Sequence, residues 1–423
     1  MALKGTIAVA GDKSITHRAL IFSSLAKGAT HIVGPLLGED CLSTLRIFEA
    51  LGVSFCQQAG ELIVVSPGME GFKREACRLD AGNSGTTARL LMGLFAGLSL
   101  EVSLTGDESL QSRPMKRVAD PLGLMGANIK LKGNYLPAQI KGSPLKAIAY
   151  RLPVASAQVK SALMLAALTA KGTTVIEEPV ATRDHTEKMF TAFGLAYEKE
   201  KGRLAIEGGQ LPISPGMVQV PGDISSAAFF MVAAQFVPGS EIVVQNVGIN
   251  PTRSGIIDAL AQMGAELSVE NFRYVGGEEV GDLVVRYTEK LKPFVIAGDL
   301  VPRLIDEIPI LALLALRADG ASHIRDAKEL RVKETDRIAT TVSELSAIGG
   351  HLEAHEDGIS IMGNPNYELK EAAVDSHGDH RIAMMLAIAS LRGEASLNIK
   401  GLDAMAVSYP NFLQDLASLG GTL

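Results

Sequence analysis

Residues 9–26 of the chain read VAGDKSITHRALIFSSLA, which combines a short strand, a Gly-Asp turn and a helix that starts in polar residues and continues in apolar ones. This order of elements indicates a strand–turn–helix unit whose helix is mostly buried. Looser copies follow along the 423 residues, in LDAGNSGTTARLLMGLFAG (79–97), LPVASAQVKSALMLAAL (152–168), VPGDISSAAFFMVAA (220–234), IAGDLVPRLIDEIPILALLAL (296–316) and VDSHGDHRIAMMLAIASL (374–391). A spacing of roughly 70–80 residues is at or slightly above the range of supersecondary repeats.

A second pattern follows the copies of the first. A small residue or Gly opens a strand, a polar loop follows, and an amphipathic helix ends in a Gly-containing turn, as in residues 28–53, 172–197 and 240–267. Alternating strands come next, so each unit reads β-α-β-α-β-β and six units fill the chain. The Gly-Asp turns at 11–12 and 222–223 lie about half the chain apart, which suggests two halves of three units. The alternative is a single α/β domain with unrelated Gly-rich turns.

Composition excludes several classes of protein. Hydrophobic residues make up 47% of the chain, aromatic residues only 5%, and the formal net charge is −7. An acidic protein is a poor nucleic-acid binder, although a small basic pocket can still receive anionic substrates. The three Cys have no CxxC spacing, which fits a reducing compartment and suggests no zinc site. The N-terminus lacks a signal-peptide pattern and the apolar run 308–316 is too short to span a membrane, so we expect a cytoplasmic protein without nucleic-acid or membrane partners.

Two polar clusters open helices in the first half. Lys13, Ser14 and Arg18 in GDKSITHRAL lie at a helix start, where backbone N–H groups attract anions, and the last two share a helix face. Asn83–Arg89 in GNSGTTAR offers backbone donors, and Gly85 allows close approach of a ligand. The structural alternatives are a capped surface helix with incidental charges and a tight turn with an N-cap.

Two further candidates lie in the same half. Arg113 in SLQSRPMKRV is followed by a proline that restricts its backbone, so it could clamp a ligand. Ser156, Ala157 and Gln158 begin an uncharged helix start that suits recognition of hydroxyl groups. A purely structural N-cap explains this second pattern equally well.

The second half carries a denser group of charges. Asp306 and Glu307 precede a strongly apolar run, a setting in which a carboxylate can act as a base. In ELRVKETDRIATT a continuous helix is predicted to place Lys333 and Glu334 on the same face as Arg337. An exposed network of surface charges is the alternative. Arg381 in SHGDHRIAMM, after a Gly turn, adds one more cation at a helix start.

Taken together, the motifs GDKSITHRAL, GNSGTTARL, RPMKRV, SAQVKSALML, GDISSA, RVKETDR and GDHRIAM resemble, in family order, those of the enolpyruvyl transferase family. They run from near residue 10 to near residue 410 and most resemble the branch that acts on shikimate 3-phosphate. The resemblance implies an α/β fold of two globular domains, each an inverse α/β barrel-like assembly of three β-α-β-α-β-β repeats. The implied domains are 1–11 with 223–423, on the phosphoenolpyruvate side, and 12–222, on the shikimate 3-phosphate side. The implied hinge strands lie near 9–12 and 220–223.

The resemblance also implies ligand residues. Shikimate 3-phosphate would be held by Lys13, Ser14, Arg18, Ser156, Ala157, Gln158, Arg183, Asp306 and Lys333. Phosphoenolpyruvate would be held by Lys13, Gly85, Arg113, Gln158, Arg337 and Arg381. The segment TRDHTEK resembles a subgroup of the family in which the arginine at the position of Arg183 contacts the phosphate group of shikimate 3-phosphate. The chain departs from the family at Val407, where many members have Lys, and at Glu329, where others have Asn.

The implied reaction moves the enolpyruvyl group of phosphoenolpyruvate to the 5-hydroxyl of shikimate 3-phosphate. The catalytic residues would be Lys13, Asp306 and Glu334, and the chemistry requires no metal or organic cofactor. We expect a monomer. Glyphosate competes with phosphoenolpyruvate in this family, and insensitive members often carry Ala where this chain keeps Gly85, so we expect inhibition.

Two alternatives remain at this point. The first is the related transferase that acts on UDP-N-acetylglucosamine, which usually carries a Cys in the loop before its RP motif. Here that loop is TGDESLQSRP, without Cys. The second is a non-catalytic protein that binds a phosphorylated metabolite.

Overall fold

The computed structural model describes residues 2–58, 60–73, 77–393 and 395–422. Contacts within the chain divide it into two compact units. The N-terminal unit is Lys13–Val220, and the C-terminal unit is Met1–Asp12 together with Pro221–Leu423. Residues 1 and 423, at the ends of the predicted domains, lie outside the described residues.

The first three repeats follow the predicted order of strands and helices. Their elements are β1 (Lys4–Ala8), α1 (Lys13–Leu25), β2 (Gly28–Val33), α2 (Glu39–Ala50), β3 (Ser54–Gln58), β4 (Glu61–Ser66), β5 (Cys77–Asp80), α3 (Gly85–Gly97), β6 (Glu101–Thr105), α4 (Glu108–Gln111), α5 (Lys116–Leu124), β7 (Asn128–Lys132), β8 (Tyr135–Lys141), β9 (Ala149–Arg151), α6 (Ala157–Ala167), β10 (Thr173–Glu177), α7 (His185–Ala192), β11 (Glu198–Glu200) and β12 (Arg203–Glu207).

The last three repeats begin at β13. Their elements are β13 (Met217–Gln219), α8 (Ile224–Phe236), β14 (Glu241–Gly248), α9 (Gly255–Gln262), β15 (Glu266–Val275), β16 (Glu278–Arg286), β17 (Val295–Ile296), α10 (Val301–Leu304), α11 (Ile308–Ala315), β18 (Ala321–Ile324), α12 (Arg337–Ala347), β19 (His351–His355), β20 (Gly358–Met362), β21 (Ala372–Asp375), α13 (His380–Ser390), β22 (Leu397–Lys400) and α14 (Phe412–Ser418). Short 3₁₀ turns cover Met69–Gly71, Gly298–Leu300, Lys328–Val332 and Leu402–Val407.

Each repeat builds one small sheet. In the N-terminal unit the strand orders are β13-β2-β4-β3, β5-β6-β8-β7 and β9-β10-β12-β11. In the C-terminal unit they are β1-β14-β16-β15, β17-β18-β20-β19 and β21-β22. In every four-stranded sheet the first pair is parallel and the other pairs are antiparallel. The predicted mixed α/β class is confirmed, and within the described residues the sixth repeat is shorter because it lacks the closing hairpin.

Two repeats exchange their first strands. β1, which precedes the first repeat in the chain, pairs in parallel with β14 of the fourth repeat. β13, which precedes the fourth repeat, pairs in parallel with β2 of the first. Each exchanged strand therefore supplies a parallel pairing partner to a repeat about half a chain away.

Buried helices form the interior of each unit. Every residue of α8 is buried, as is every residue of α11, and helices that are apolar on all sides must be enclosed. In the C-terminal unit α8, α11 and α13 pack against one another, and in the N-terminal unit α3 packs against α1 and α6. No helix in the described part of the chain is long and apolar enough to cross a membrane.

The packing of α3 on α6 depends on a glycine. A Cβ added at Gly93 would overlap the backbone carbonyl of Ala162. We expect Gly93→Ala to lower the free energy of unfolding by about 1–3 kcal/mol or more, because a backbone group cannot move aside as a flexible side chain can. Urea denaturation measures this change.

Gly123, exposed near the end of α5, provides the matched control. A Cβ there has no neighbour within 4 Å. Gly123→Ala should leave the free energy of unfolding unchanged or raise it by up to about 1 kcal/mol, because Ala has the higher helix propensity. Equal effects of the two substitutions would show that close helix approach does not limit stability.

Candidate active site

Helix α1 carries three of the predicted ligand residues of the N-terminal unit, Lys13, Ser14 and Arg18. Lys13 begins the helix, and its Nζ lies 3.0 Å from Oδ2 of Asp40, at the start of α2. Arg18 follows one turn later, and its Nη1 donates to the carbonyl oxygen of Ser14 (2.9 Å). The predicted shared face of Ser14 and Arg18 is thus present in the structure.

Arg18 is buried, and two distant hydroxyl groups hold it. Its Nε donates to Oγ1 of Thr186 (2.7 Å) and its Nη2 to Oγ of Ser161 (2.9 Å). Thr186 and Ser161 also share a hydrogen bond of 2.6 Å. These two hydrogen bonds fix the orientation of the guanidinium.

A buried histidine lies between the two cations of α1. Burial lowers the pKa of His17 well below its usual range, and the charges of Lys13 and Arg18 lower it further, so the ring is neutral at pH 7. His17 Nδ1 shares a hydrogen bond with Oγ1 of Thr44 (2.8 Å), which in turn bonds Oγ1 of Thr87 (2.6 Å) on α3. This neutral chain of polar groups fixes α1 relative to the start of α3.

The beginnings of α3 and α6 lie side by side. Ser84 caps α3 by accepting from the Thr87 amide, and Ser156 caps α6. Arg89 Nη1 donates to Oε1 of Gln158 (2.7 Å), the second residue of α6. Both caps are neutral, so the positive ends of these helices remain available to an anion.

Arg113 points to the same helix start. Its Nη2 donates to Oδ1 of Asn83 (2.7 Å) and to Oγ of Ser109 (2.9 Å), and only 5% of the residue is exposed. A Cβ at Gly85 would lie 2.9 Å from Nη1 of Arg89 and 3.7 Å from Nη1 of Arg113. Gly85 therefore borders two arginine side chains, and a Cβ there would displace Arg89 while only touching Arg113.

In the C-terminal unit, the predicted helix through RVKETDR is wrong in one respect. A 3₁₀ turn covers Lys328–Val332, Lys333 has an extended backbone, and α12 begins at Arg337. Asp336 sets this boundary because its side chain accepts from the Ala339 amide (3.1 Å) as an N-cap. Lys333 and Arg337 thus do not share a helix face.

Arg337 nevertheless contacts Glu334 of the motif and two acidic residues from other parts of the chain. Its Nη2 lies 2.6 Å from Oε2 of Glu334, its Nη1 3.2 Å from Oδ1 of Asp306, and its Nε 2.7 Å from Oδ2 of Asp379. Burial by itself would lower the pKa of Arg337, but the neighbouring carboxylates, Asp379 first, raise it above its ordinary value. Arg337 therefore remains charged and fixes the positions of three carboxylates.

Lys333 reaches the same carboxylate as Arg337. Its Nζ lies 3.2 Å from Oδ1 of Asp306, in the turn between α10 and α11. Burial lowers the pKa of Lys333, which the charge of Asp306 partly opposes, and Arg337 lowers it further. Glu329, in the 3₁₀ turn, also opposes the lowering through its charge. Val407, at the end of another 3₁₀ turn, is half-buried and brings no charge.

A buried cluster beside Asp306 was not predicted. Glu307 is fully buried and accepts a hydrogen bond from Ser225. Arg253 contacts two carboxylates, that of Glu307 at 3.4 Å and that of Asp223 at 3.2 Å. Nη1 of Arg381 lies 3.9 Å from Oε1 of Glu307. The signal in the sequence was the acidic residue before the central helix of each of the last three repeats.

Other partners were missed because they lie far along the chain from the residues that they contact. Asp40 lies 27 residues from Lys13, and Thr186 lies 168 residues from Arg18. Thr186 does occur within TRDHTEK, three residues after Arg183, which is half-buried between β10 and α7. The contacts of Asp40 and Thr186 depend on which helices pack together.

The fold is that of the enolpyruvyl transferases. A solved enolpyruvyl transferase, NikO from Streptomyces tendae, superposes with a TM-score of 0.78 over 100% of this chain and 96% of that chain. Its sequence identity is 19%, so this likeness concerns the fold alone.

More similar proteins define the family. A family model described as EPSP synthase (3-phosphoshikimate 1-carboxyvinyltransferase) matches residues 1–416. A Bacillus cytotoxicus protein named 3-phosphoshikimate 1-carboxyvinyltransferase is 51% identical over 419 residues, covering 99% of this chain and 98% of the relative. The solved EPSP synthase of Acinetobacter baumannii is 43% identical with a TM-score of 0.87, covering 100% of this chain and 96% of that one. The chain belongs to the EPSP synthase family.

The site geometry predicts a large role in stability for Asp379. It is fully buried, caps α13 and contacts Arg337 through both carboxylate oxygens. We expect Asp379→Ala to lower the free energy of unfolding by about 3–5 kcal/mol, because it leaves a buried guanidinium short of a partner. Chemical denaturation of the purified variant measures the change.

Asp336 is the matched control, since it caps α12 but is partly exposed. Asp336→Ala should lower the free energy of unfolding by about 1 kcal/mol, as expected for an N-cap. If Asp379→Ala costs no more than Asp336→Ala, the buried contact with Arg337 contributes nothing beyond capping.

Proposed function

We propose that the protein transfers the enolpyruvyl group of phosphoenolpyruvate to the 5-hydroxyl of shikimate 3-phosphate and releases phosphate. This is the reaction of the shikimate pathway that leads towards chorismate and the aromatic amino acids. Family membership supports the reaction, and one structural observation carries its chemistry. Arg337, a proposed phosphoenolpyruvate ligand, contacts both carboxylates that are proposed to move protons, Asp306 and Glu334.

The proposed ligand residues form two sets. Shikimate 3-phosphate is bound by Lys13, Ser14, Arg18, Ser156, Ala157, Gln158, Arg183, Asp306 and Lys333. Phosphoenolpyruvate is bound by Lys13, Gly85, Arg113, Gln158, Arg337 and Arg381. Arginine suits this substrate because its planar fork binds carboxylate and phosphate through two parallel hydrogen bonds.

Proton transfer requires acids and bases at two positions. The 5-hydroxyl oxygen bonds to C2 of phosphoenolpyruvate while C3 gains a proton, and Asp306 accepts the hydroxyl proton. Glu334 donates the proton to C3 and removes one from C3 when the tetrahedral intermediate breaks down. The C2–O bond to phosphate then breaks, and Lys13 stabilises the charge on the leaving phosphate.

The contacts of Asp306 support its assignment as a base. One of its oxygens, Oδ1, lies 3.2 Å from both Lys333 Nζ and Arg337 Nη1. The two cations hold the carboxylate in place without a covalent constraint, and its side chain retains 14% exposure. A fixed and partly accessible carboxylate can meet a substrate hydroxyl with little reorganisation.

The remaining expectations belong to the same proposal. We propose a monomer in the cytoplasm, with the strands near 9–12 and 220–223 as hinges. The chain has a mass of 44.6 kDa, so light scattering of the purified protein distinguishes a monomer from a dimer directly.

Lys13→Ala tests the proposed reaction. We expect phosphate release from shikimate 3-phosphate and phosphoenolpyruvate to be abolished, because the variant loses a cation proposed to contact both substrates. The fold should persist, because the contact of Lys13 with Asp40 is partly exposed. A continuous phosphate-release assay and circular dichroism measure the two properties.

Lys27, exposed beyond the other end of α1, is the control. Lys27→Ala has the same change of charge and should retain wild-type turnover. Near-normal phosphate release by Lys13→Ala would refute the role of Lys13, and a wild-type protein that binds both substrates without releasing phosphate would refute catalysis. Turnover with UDP-N-acetylglucosamine in place of shikimate 3-phosphate would instead favour the related transferase.

Gly85→Ala tests the phosphoenolpyruvate pocket. We expect glyphosate to inhibit the wild-type protein. In Gly85→Ala the inhibition constant of glyphosate should increase more than the KM for phosphoenolpyruvate does. The physical reason is that a Cβ 2.9 Å from Arg89 Nη1 would force this side chain to shift beside the proposed pocket, and overpacking penalises glyphosate, the longer ligand, most.

The exposed Gly123→Ala substitution should change neither constant. Steady-state inhibition assays on the three proteins decide the question. A parent that is insensitive to millimolar glyphosate, or equal weakening of both ligands by Gly85→Ala, would contradict the steric argument.

A further inference from the structure

A buried charge cluster in the N-terminal unit has no part in the reaction as proposed. Lys160 is the fourth residue of α6 and has 0% side-chain exposure. Its Nζ contacts Oε1 of Glu187 at 2.7 Å and Oε1 of Glu178 at 3.0 Å, and each glutamate side chain is only 2% exposed. Replacing buried ion pairs by apolar residues is often neutral or stabilising, so stability alone is a weak explanation for this cluster.

Hydrogen bonds of Glu178 connect the cluster to the residue before Arg183. Oε1 of Glu178 accepts a hydrogen bond from Oγ1 of Thr182 (2.6 Å) and another from its backbone amide (3.3 Å). Thr182 is buried and is the residue immediately before Arg183. Glu178 therefore fixes the backbone from which the Arg183 side chain extends.

Lys160 and Glu187 connect the cluster to the residues that contact Arg18. Glu187 is in the first turn of α7 beside Thr186, and Lys160 is beside Ser161 on α6. Thr186 and Ser161 are the two hydroxyl groups that accept from Arg18 and bond each other. The contact of Lys160 with Glu187 thus ties together the two helices that orient Arg18.

We propose that Lys160, Glu178 and Glu187 form a positioning cluster that orients Arg18 and Arg183 towards shikimate 3-phosphate and, through Arg183, selects for its phosphate group. The inference rests on the proposed function, which assigns both arginines to that substrate. Burial makes the geometry of the cluster stiff, because charges in a low-dielectric interior must keep their partners. None of the three residues reaches the reacting atoms in this scheme.

Charge supports the same arrangement. Burial raises the pKa of Glu187, but Lys160 and Lys199 lower it more, so the net pKa lies below its ordinary value and the group is ionised at neutral pH. Lys199 Nζ lies 3.0 Å from Oε1 of Glu187, yet its side chain is 38% exposed. Lys199 therefore adds charge at the rim, whereas Lys160 links α6, α7 and the segment before Arg183.

Thr182→Val is the mildest test, because Val has nearly the same shape and leaves every charge in place. We expect the KM for shikimate 3-phosphate to rise about 10- to 100-fold, the factor for a lost or misplaced charge-assisted contact, with the KM for phosphoenolpyruvate unchanged. The preference for shikimate 3-phosphate over unphosphorylated shikimate, measured as a ratio of kcat/KM, should fall by a similar factor. Arg183→Ala should give the same pattern.

Lys160→Met tests the whole cluster, with Lys199→Met as the matched control. Lys160→Met should raise the KM for shikimate 3-phosphate at least as much as Thr182→Val does, and Lys199→Met should leave it within about 2-fold, the level of a partly exposed ion pair. If Lys160→Met does not fold, Thr182→Val decides alone.

The outcomes separate the inference from the proposed function. A wild-type protein that releases no phosphate from the two substrates overturns the function and, with it, the inference. A wild-type enzyme whose Thr182→Val variant keeps its KM values, or has both raised equally, overturns the inference alone. A selective loss of shikimate 3-phosphate with retained phosphoenolpyruvate affinity supports it.

Discussion

Burial of the central helices on all sides is the constraint on which the rest of the structure depends. Helices such as α8 and α11 are apolar around their whole circumference, so neighbouring helices and sheets must enclose them. The sides of these two helices are then closed to ligands, and their polar groups can act only from the helix starts and the turns before them. Lys13, the Ser84–Gly85 turn and the Asp306–Glu307 turn all occupy such positions.

The residues at the N-cap positions of these helices differ between the two units. In the N-terminal unit the caps of α3 and α6 are the neutral Ser84 and Ser156. In the C-terminal unit carboxylates occupy the cap positions of α8, α11 and α13, namely Asp223, Glu307 and Asp379. A neutral cap leaves the positive end of the helix dipole for an anionic ligand, whereas a carboxylate neutralises it. Positive charge in the C-terminal unit must therefore come from basic side chains, which are Lys333 and several arginines.

Those arginines are held by the carboxylates at the helix starts. Arg337 contacts Asp379, and Arg253 contacts Asp223 and Glu307. In the N-terminal unit, by contrast, hydroxyl groups hold Arg18. Hydroxyl groups orient a guanidinium through single hydrogen bonds, whereas a guanidinium that contacts carboxylates also fixes the positions of those acids.

The sequence by itself determined the repeat, its order of elements and the family, because strand alternation, helix amphipathicity, glycine turns and caps are local patterns over a few residues. It did not determine where α12 begins, because the cap at Asp336 competes with a continuous helix through Lys333 and both fit the same residue types. Tertiary structure alone decided that Arg18 meets Ser161 and Thr186, which lie 143 and 168 residues away. The physical reason is that buried polar groups must find partners in the low-dielectric interior, and which partners they find depends on which helices pack together.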